Sequence, residues 1–232
     1  YTTLVFFNQK THSTSMAKES RITSAANRKG GVGKSIVTIL LAVALARHKK
    51  KRVLILDCDN QGSIAEMYQN EIDLMGEEYE PAIEVEEITA RKVQTFLKRF
   101  GQDYDLIFVD IPRMTDNKKD NATVMLLYNC DSILMPVIGS EVAVLSSLDF
   151  LAIIEEAAEF KEEVGEKLTY YGFINRRNLR KTNDLAEEAM RKQGLKMFKN
   201  SLADLKIYTL PSFFTSVMET AEGLRRFEGF YK

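Results

Sequence analysis

Eight consecutive residues, Arg28-Lys29-Gly30-Gly31-Val32-Gly33-Lys34-Ser35, bring three glycines, two lysines and a hydroxyl into one place. Glycines lack a Cβ, so successive backbone N–H groups can close around a phosphate there. Ile22 to Ala26, just before, reads as a β-strand. Ser35 to Arg47, just after, reads as a helix of Ile, Leu, Val and Ala, apolar almost all round and therefore buried. Strand, glycine loop and helix together form the setting in which such a loop takes phosphate, because the helix N-terminus adds positive potential. Lys34 is then placed to neutralise β- and γ-phosphate oxygens, and the Ser35 hydroxyl to ligate Mg2+. An ordinary glycine turn explains neither the Lys-Ser pair nor the flanking elements. The commoner form of the loop has glycine where Arg28 stands, and this one opens on a second lysine, Lys29.

Carboxylates recur at the ends of apolar runs. Arg52-Val53-Leu54-Ile55-Leu56-Asp57 is a second strand, with Asp57 and Asp59 at its tip, and Asp105-Leu106-Ile107-Phe108-Val109-Asp110 is a third, ending on Asp110. Alone, an acid at a strand tip is a solvated turn. Beside a phosphate loop, in a sheet whose ligands bind at the C-terminal strand ends, it becomes a source of hard oxygens for Mg2+ and of a group to orient water.

The elements that position these residues alternate short β-branched runs with longer helical patterns, which marks a parallel sheet covered by helices. Further strands are expected at Ser132 to Val137 and Leu168 to Ile174, and a short edge strand within Pro81 to Ile88. Helices are expected at Thr89 to Phe100, stopped by Gly101, and at Asn121 to Asn129, Ser140 to Glu163, Thr182 to Lys192 and Thr215 to Phe227. The acidic stretch up to about Glu80 is assigned no element. With 232 residues and no linker or repeat, residues 16–232 read as a single domain. Residues 1–15 read as a leader or disordered segment, with Met16 as a natural start.

Composition narrows the class. The two cysteines, Cys58 and Cys130, lie in or beside apolar runs without paired spacing, which suits buried thiols and not an iron–sulfur ligand set. No apolar stretch approaches the ~20 residues that cross a bilayer, and a cytoplasmic location is expected. Net charge is −1, yet nine acids and no Lys or Arg lie between Ile64 and Ala90, whereas thirteen basic and seven acidic residues lie from Lys167 to Lys232. Such asymmetry marks either solvated faces or a surface that meets polyanions.

Lys29-Gly30-Gly31-Val32-Gly33-Lys34-Ser35 is the deviant form of the Walker A loop, and with it the chain resembles the ParA/MinD family of partition and positioning ATPases, from about Arg21 to the C-terminus. Two more motifs carry the resemblance. Asp57-Cys58-Asp59-Asn60-Gln61-Gly62 is similar to the family's D-x-D-P-Q-G, and Tyr104-Asp105-Leu106-Ile107-Phe108-Val109-Asp110-Ile111-Pro112 to its Y-D-x-I-I-I-D-T-P. The resemblance implies an α/β fold, a mostly parallel twisted sheet flanked by helices of the P-loop NTPase type, with ATP and Mg2+ as ligands.

Roles follow position by position. The resemblance makes Lys29 the signature lysine that reaches across an ATP-sandwiched homodimer, a task that suits a compact charge on a flexible stem. It makes Asp59 the acid that positions the attacking water, Asp57 an acid near the Mg2+ shell, and Asp110 the Walker B acid that holds Mg2+ through water. Gly30 to Ile36 contact the phosphates, and Asn175, ending the Leu168–Ile174 strand, occupies a place where relatives contact adenine. An Asn there is also a common turn residue. Ile36 stands where many relatives have a Thr and loses one contact, about 1 kcal/mol for a hydrogen bond. Asn60 replaces a Pro, and Arg113 replaces the second Pro after Asp110. Either Ser201-Leu202-Ala203 or Leu210-Pro211-Ser212 takes the place of the family's C-terminal nucleotide-contacting segment.

The implied function is an ATP-dependent dimerising switch for partition or maintenance of a plasmid, chromosome or mobile element, with slow, Mg2+-dependent hydrolysis stimulated by a ParB-like partner. Arg176, Arg177, Arg180, Lys181, Arg225 and Arg226 are the candidates for non-specific DNA contact. Two alternatives stand beside it. One is a MinD-like membrane-surface module using the tail Gly223 to Lys232, although its length, Glu228 and two glycines make a membrane partner the weaker expectation. The other is a nearly inactive scaffold that binds ATP and dimerises.

Overall fold

The computed structural model describes residues 20–59, 63–76, 78–112 and 121–231. The expectations on residues 1–15, on Asn60-Gln61-Gly62 and on Arg113 lie outside the described residues. Six strands form one sheet: β1 (Arg21–Ala25), β2 (Val53–Asp57), β3 (Glu84–Glu87), β4 (Leu106–Asp110), β5 (Ser132–Val137) and β6 (Thr169–Ile174), in the order β3-β2-β4-β1-β5-β6. Every pairing among them is parallel. The helices between and after the strands are α1 (Lys34–Lys49), α2 (Ser63–Met75), α3 (Ala90–Phe100), α4 (Asn121–Asn129), α5 (Glu141–Glu163), α6 (Thr182–Lys192) and α7 (Ala221–Tyr231). The expected α/β architecture is the observed one.

The unbroken apolar runs of β2 and β4 follow from burial on both faces. Val53, Ile55 and Phe108 belong to a core built with α1, α2 and the C-terminal segment, while Leu54, Leu56, Ile107 and Val109 belong to one built with α3, α4, α5 and α6. α1 shows no polar stripe because Val37 to Ala44 are buried without a break. That helix lies against β1, β2 and β4.

The two sheet edges are handled differently. β6 is covered by a returning segment: the Gly172 N–H donates to Lys196 O (2.9 Å), the Phe198 N–H to Gly172 O (2.8 Å), and the Leu202 N–H to Ile174 O (3.0 Å). A Cβ at Gly172 would lie 2.4 Å from Met197 Sδ, so glycine is what permits this close approach. β3, at the other edge, is short and carries Glu84, Glu86 and Glu87, charges that discourage pairing with another chain.

Two elements differ from expectation. The acidic stretch, to which no element is assigned from sequence, holds α2, a full helix with Ile64, Met67, Tyr68 and Ile72 facing the core. The helix expected from Thr215 is broken: Ser216 closes a capping box over a 3-10 turn at Val217–Glu219, and α7 starts only at Ala221. The Ser216 hydroxyl accepts from the Met218 N–H and Glu219 accepts from the Ser216 N–H, which fixes a separate short turn there.

Candidate functional site

β1 sits between β4 and β5, and the chain leaves its C-terminal end into the glycine loop. Left-handed backbone at Gly31 (φ 76°) and Gly33 (φ 89°) curls the loop back into α1, a conformation that residues with a Cβ rarely adopt. Its start is anchored by Asn27, buried at the end of the strand. The Asn27 amide donates to Pro136 O (2.9 Å) and to Ser147 Oγ (2.8 Å), and its Oδ1 accepts from the Lys29 N–H (3.0 Å). Arg28, in place of the usual glycine, pairs with Asp149 at 3.0 Å. Both contacts tie the loop to α5. Sequence reasoning missed Ser147 and Asp149, and no local signal marks them, because they lie more than a hundred residues downstream of the loop they brace.

On the far side of the loop, Ser35 donates to Asp110 Oδ2 at 2.8 Å. The neighbouring oxygen, Asp110 Oδ1, is buried and accepts no hydrogen bond among the described residues. Burial pushes the Asp110 carboxyl up to about 7; the Ser35 hydrogen bond works against that rise and the charge of Asp57 with it. A buried carboxylate oxygen without a partner, next to a hydroxyl on the first turn of a helix, is a donor set that fits Mg2+. Among the described residues no group of three or more His, Cys, Asp or Glu could hold a metal alone.

Asp57 and Asp110 face each other in register across β2 and β4. Their surroundings differ. Asp57 is fully buried; its Oδ2 accepts from the Ile64 and Ala65 N–H groups (both 3.0 Å) and its Oδ1 from the Asp59 N–H (3.2 Å). The carboxylate expected near Mg2+ thus serves first as the N-terminal cap of α2. Asp59, half-buried, stands at the start of the segment toward α2 and lines a cavity of about 520 Å³ with Asp57, Glu86, Glu87 and the exposed face of α3.

The other expected residues fall as follows. Lys29, Gly30, Gly31, Val32, Gly33 and Lys34 all lie on the curled loop or at the start of α1. Ile36 packs against the core on the α1 side of the sheet, so its side chain serves the seating of the helix. Asn175, buried at the tip of β6, donates through its amide to Val32 O (2.7 Å) and accepts from the Arg176 N–H (3.0 Å). Its side chain lies on the phosphate loop itself. Of the two C-terminal candidates, the stretch around Leu202 runs beside Ile174 and Arg177 at this end of the sheet. Ser212 instead bonds Glu71 on α2.

The basic cluster is less available than its composition suggests. Arg176 pairs with Asp204, and Arg177 with Asp184 and Glu187. Arg180, Lys181, Arg225 and Arg226 are exposed. In the tail, Phe227 is fully buried and Phe230 packs on Phe173 with ring centroids 4.7 Å apart. Among the described residues no helix is long and apolar enough to cross a membrane.

Comparison with known proteins agrees with this arrangement. The model of the CobQ/CobB/MinD/ParA nucleotide binding domain matches residues 23–214. The maintenance of carboxysome distribution protein A of Halothiobacillus neapolitanus is 29% identical over 143 residues, which is 61% of this chain and 62% of that protein. Its namesake from Gloeobacter kilaueensis is 30% identical over 116 residues, 50% of this chain and 48% of that one. The matches thus span about half to three-fifths of these curated relatives. Among solved structures, an ATP complex of a substituted McdA from Cyanothece superposes with a TM-score of 0.70 at 18% identity, covering 91% of this chain and 95% of that one. A plasmid partition protein from Borrelia burgdorferi gives 0.63 at 20% identity, covering 92% and 98%.

Proposed function

Because the chain belongs to the CobQ/CobB/MinD/ParA nucleotide-binding family, we propose that it is a ParA-like ATPase: an ATP-dependent dimerising switch that positions or partitions a cargo. The observation that carries this reading is the Ser35–Asp110 contact at 2.8 Å, with Asp110 Oδ1 buried and unpartnered beside a curled loop bearing two lysines.

In this reading the loop amides from Gly30 to Ser35 hold the phosphates, and Lys34 neutralises their oxygens. Ser35, and Asp110 through water, would hold Mg2+, which would supply charge neutralisation on the triphosphate. Asp59 orients a water for in-line attack on the γ-phosphorus; a new P–O bond forms as the bond to the ADP oxygen breaks. Lys29 of a second copy reaches the phosphates across the dimer, so that ATP, not ADP, closes it. The relatives' names, carboxysome distribution and plasmid partition, support a positioning role. The dimer would ride non-specific DNA through Arg180, Lys181, Arg225 and Arg226, and a partner protein would trigger hydrolysis. Packing of Phe227 and Phe230 into the core counts against a membrane-surface module.

Lys34→Ala should abolish heat of binding with Mg-ATP, while Asp59→Ala should retain ATP, elute as a dimer and turn over at least tenfold more slowly. Normal turnover by Asp59→Ala would remove that residue from its assigned role. ATP turnover that stays near zero with and without duplex DNA would favour an inert scaffold instead.

A further inference from the structure

The side chain of Asn175 reaches from the tip of β6 to the glycine loop and donates to the Val32 carbonyl at 2.7 Å. Three features make this more than a passing contact. Asn175 is only 6% exposed, so the bond is shielded from water. Its orientation is fixed from both ends, since its Oδ1 accepts from the Arg176 N–H (3.0 Å) and its own N–H donates to Val137 O (2.8 Å). Finally, a Cβ on Gly33 would lie 2.4 Å from the Asn175 amide nitrogen, so loop and side chain are packed as closely as glycine allows.

The peptide joining Val32 to Gly33 is trans, as are all those described. In a planar trans peptide the carbonyl and the following N–H point in opposite directions. Holding the Val32 carbonyl toward β6 therefore turns the Gly33 N–H away from β6. Gly33 lies in the left-handed region, and with no Cβ it restricts that peptide plane less than another residue would.

We propose that Asn175 is a positioning residue for the phosphate site: by gripping the Val32 carbonyl it presets the Gly33 N–H as a phosphate donor before nucleotide arrives. The inference rests on the reading of the loop as a phosphate site. It assigns Asn175 to the phosphates and not to the base. Loss of the grip therefore weakens ligands with and without a base alike. Asn175→Asp keeps the acceptor for Arg176 but sets an oxygen against the Val32 carbonyl, and Asn175→Ala leaves that carbonyl without its donor.

The test compares Mg-ATP, Mg-GTP and Mg-tripolyphosphate binding by calorimetry for the wild type, Asn175→Ala, Asn175→Asp and the Lys34→Ala control. It also follows the Gly33 amide resonance of the ligand-free protein by NMR. Expected are a loss of tenfold or more for tripolyphosphate and ATP alike, greater for Asp than for Ala, an unchanged ATP-to-GTP ratio, and a displaced Gly33 resonance without ligand. The proposal is overturned if the Gly33 resonance stays in place, or if ATP binding falls while tripolyphosphate binding holds. A wild type that binds none of the three ligands would overturn the phosphate-site reading itself, whereas the displaced resonance would still report the grip. A variant that does not fold is set aside in favour of the other, since each breaks the same bond.

Discussion

Asp110 concentrates the chemistry of the site in one side chain. It is buried, hydrogen-bonded at one oxygen only among the described residues, and raised from its ordinary 3.8 to about 7 by burial. The folded protein therefore binds a proton that the unfolded chain has released, and this group's contribution to stability falls as pH rises through that interval. Asp110→Asn should raise the melting midpoint of the metal-free protein at pH 8, by about 2–4 °C per kcal/mol in a chain of this size. The gain should be much smaller at pH 5, where the carboxyl is already protonated. The variant should also lose the further rise that Mg-ATP gives the wild type. A lower midpoint at pH 8 would show that the carboxylate is held by the fold and not reserved for a ligand. The cysteines illustrate the opposite case: burial pushes both thiols upward, that of Cys130 to about 12, and leaves them inert packing groups.

At the scale of elements, α2 is the instructive case. Ile64 is its one fully buried residue, and Met67, Tyr68 and Ile72 follow at helical spacing, half-buried against the core, but the acids Glu66, Glu71 and Asp73 crowd this short period. Its N-terminus is satisfied from outside, by the Asp57 carboxylate at the end of β2. Strand-tip position and resemblance suggest a metal site for Asp57; the fold shows that its carboxylate caps α2. Asp57→Ala should cost about 1–2 kcal/mol, the ordinary worth of a helix cap. Urea unfolding would measure the loss, and faster hydrogen exchange at Ile64 and Ala65 would localise it. Unchanged exchange there would mean that the carboxylate serves the nucleotide site alone.

Across the whole molecule, the C-terminal segment returns to seal one face of the sheet. Phe227 is fully buried near Tyr208 and Phe230, and Phe230 sits on Phe173 of β6. The tail's aromatic and basic residues left open a membrane arm; the packing places Phe227 and Phe230 against the core instead. Phe227→Ala should destabilise the protein by about 3–5 kcal/mol, the usual cost of removing a buried aromatic. Denaturant unfolding monitored by circular dichroism would show it. A neutral effect on stability, coupled with lost binding to anionic vesicles, would restore the membrane reading.

The sequence by itself determined the parallel sheet, its central buried helix and the glycine loop. Each is written locally, in β-branched runs, in apolar periods, or in three glycines within four positions that accept left-handed backbone. It also placed Asp110, because an acid ending an apolar strand is a local pattern. Only the tertiary structure decided what Asp57 caps, that Arg28 and Asn27 brace the loop against α5, that Asn175 grips Val32, and that two of the arginines after β6 are neutralised by acids nearby in space. The Asp57 cap and the Arg177 pairs are close in sequence, but depend on how the chain turns after β2 and β6. The Asn27, Arg28 and Asn175 contacts join residues more than a hundred positions apart, brought together by strand order, which leaves no mark on the residues themselves.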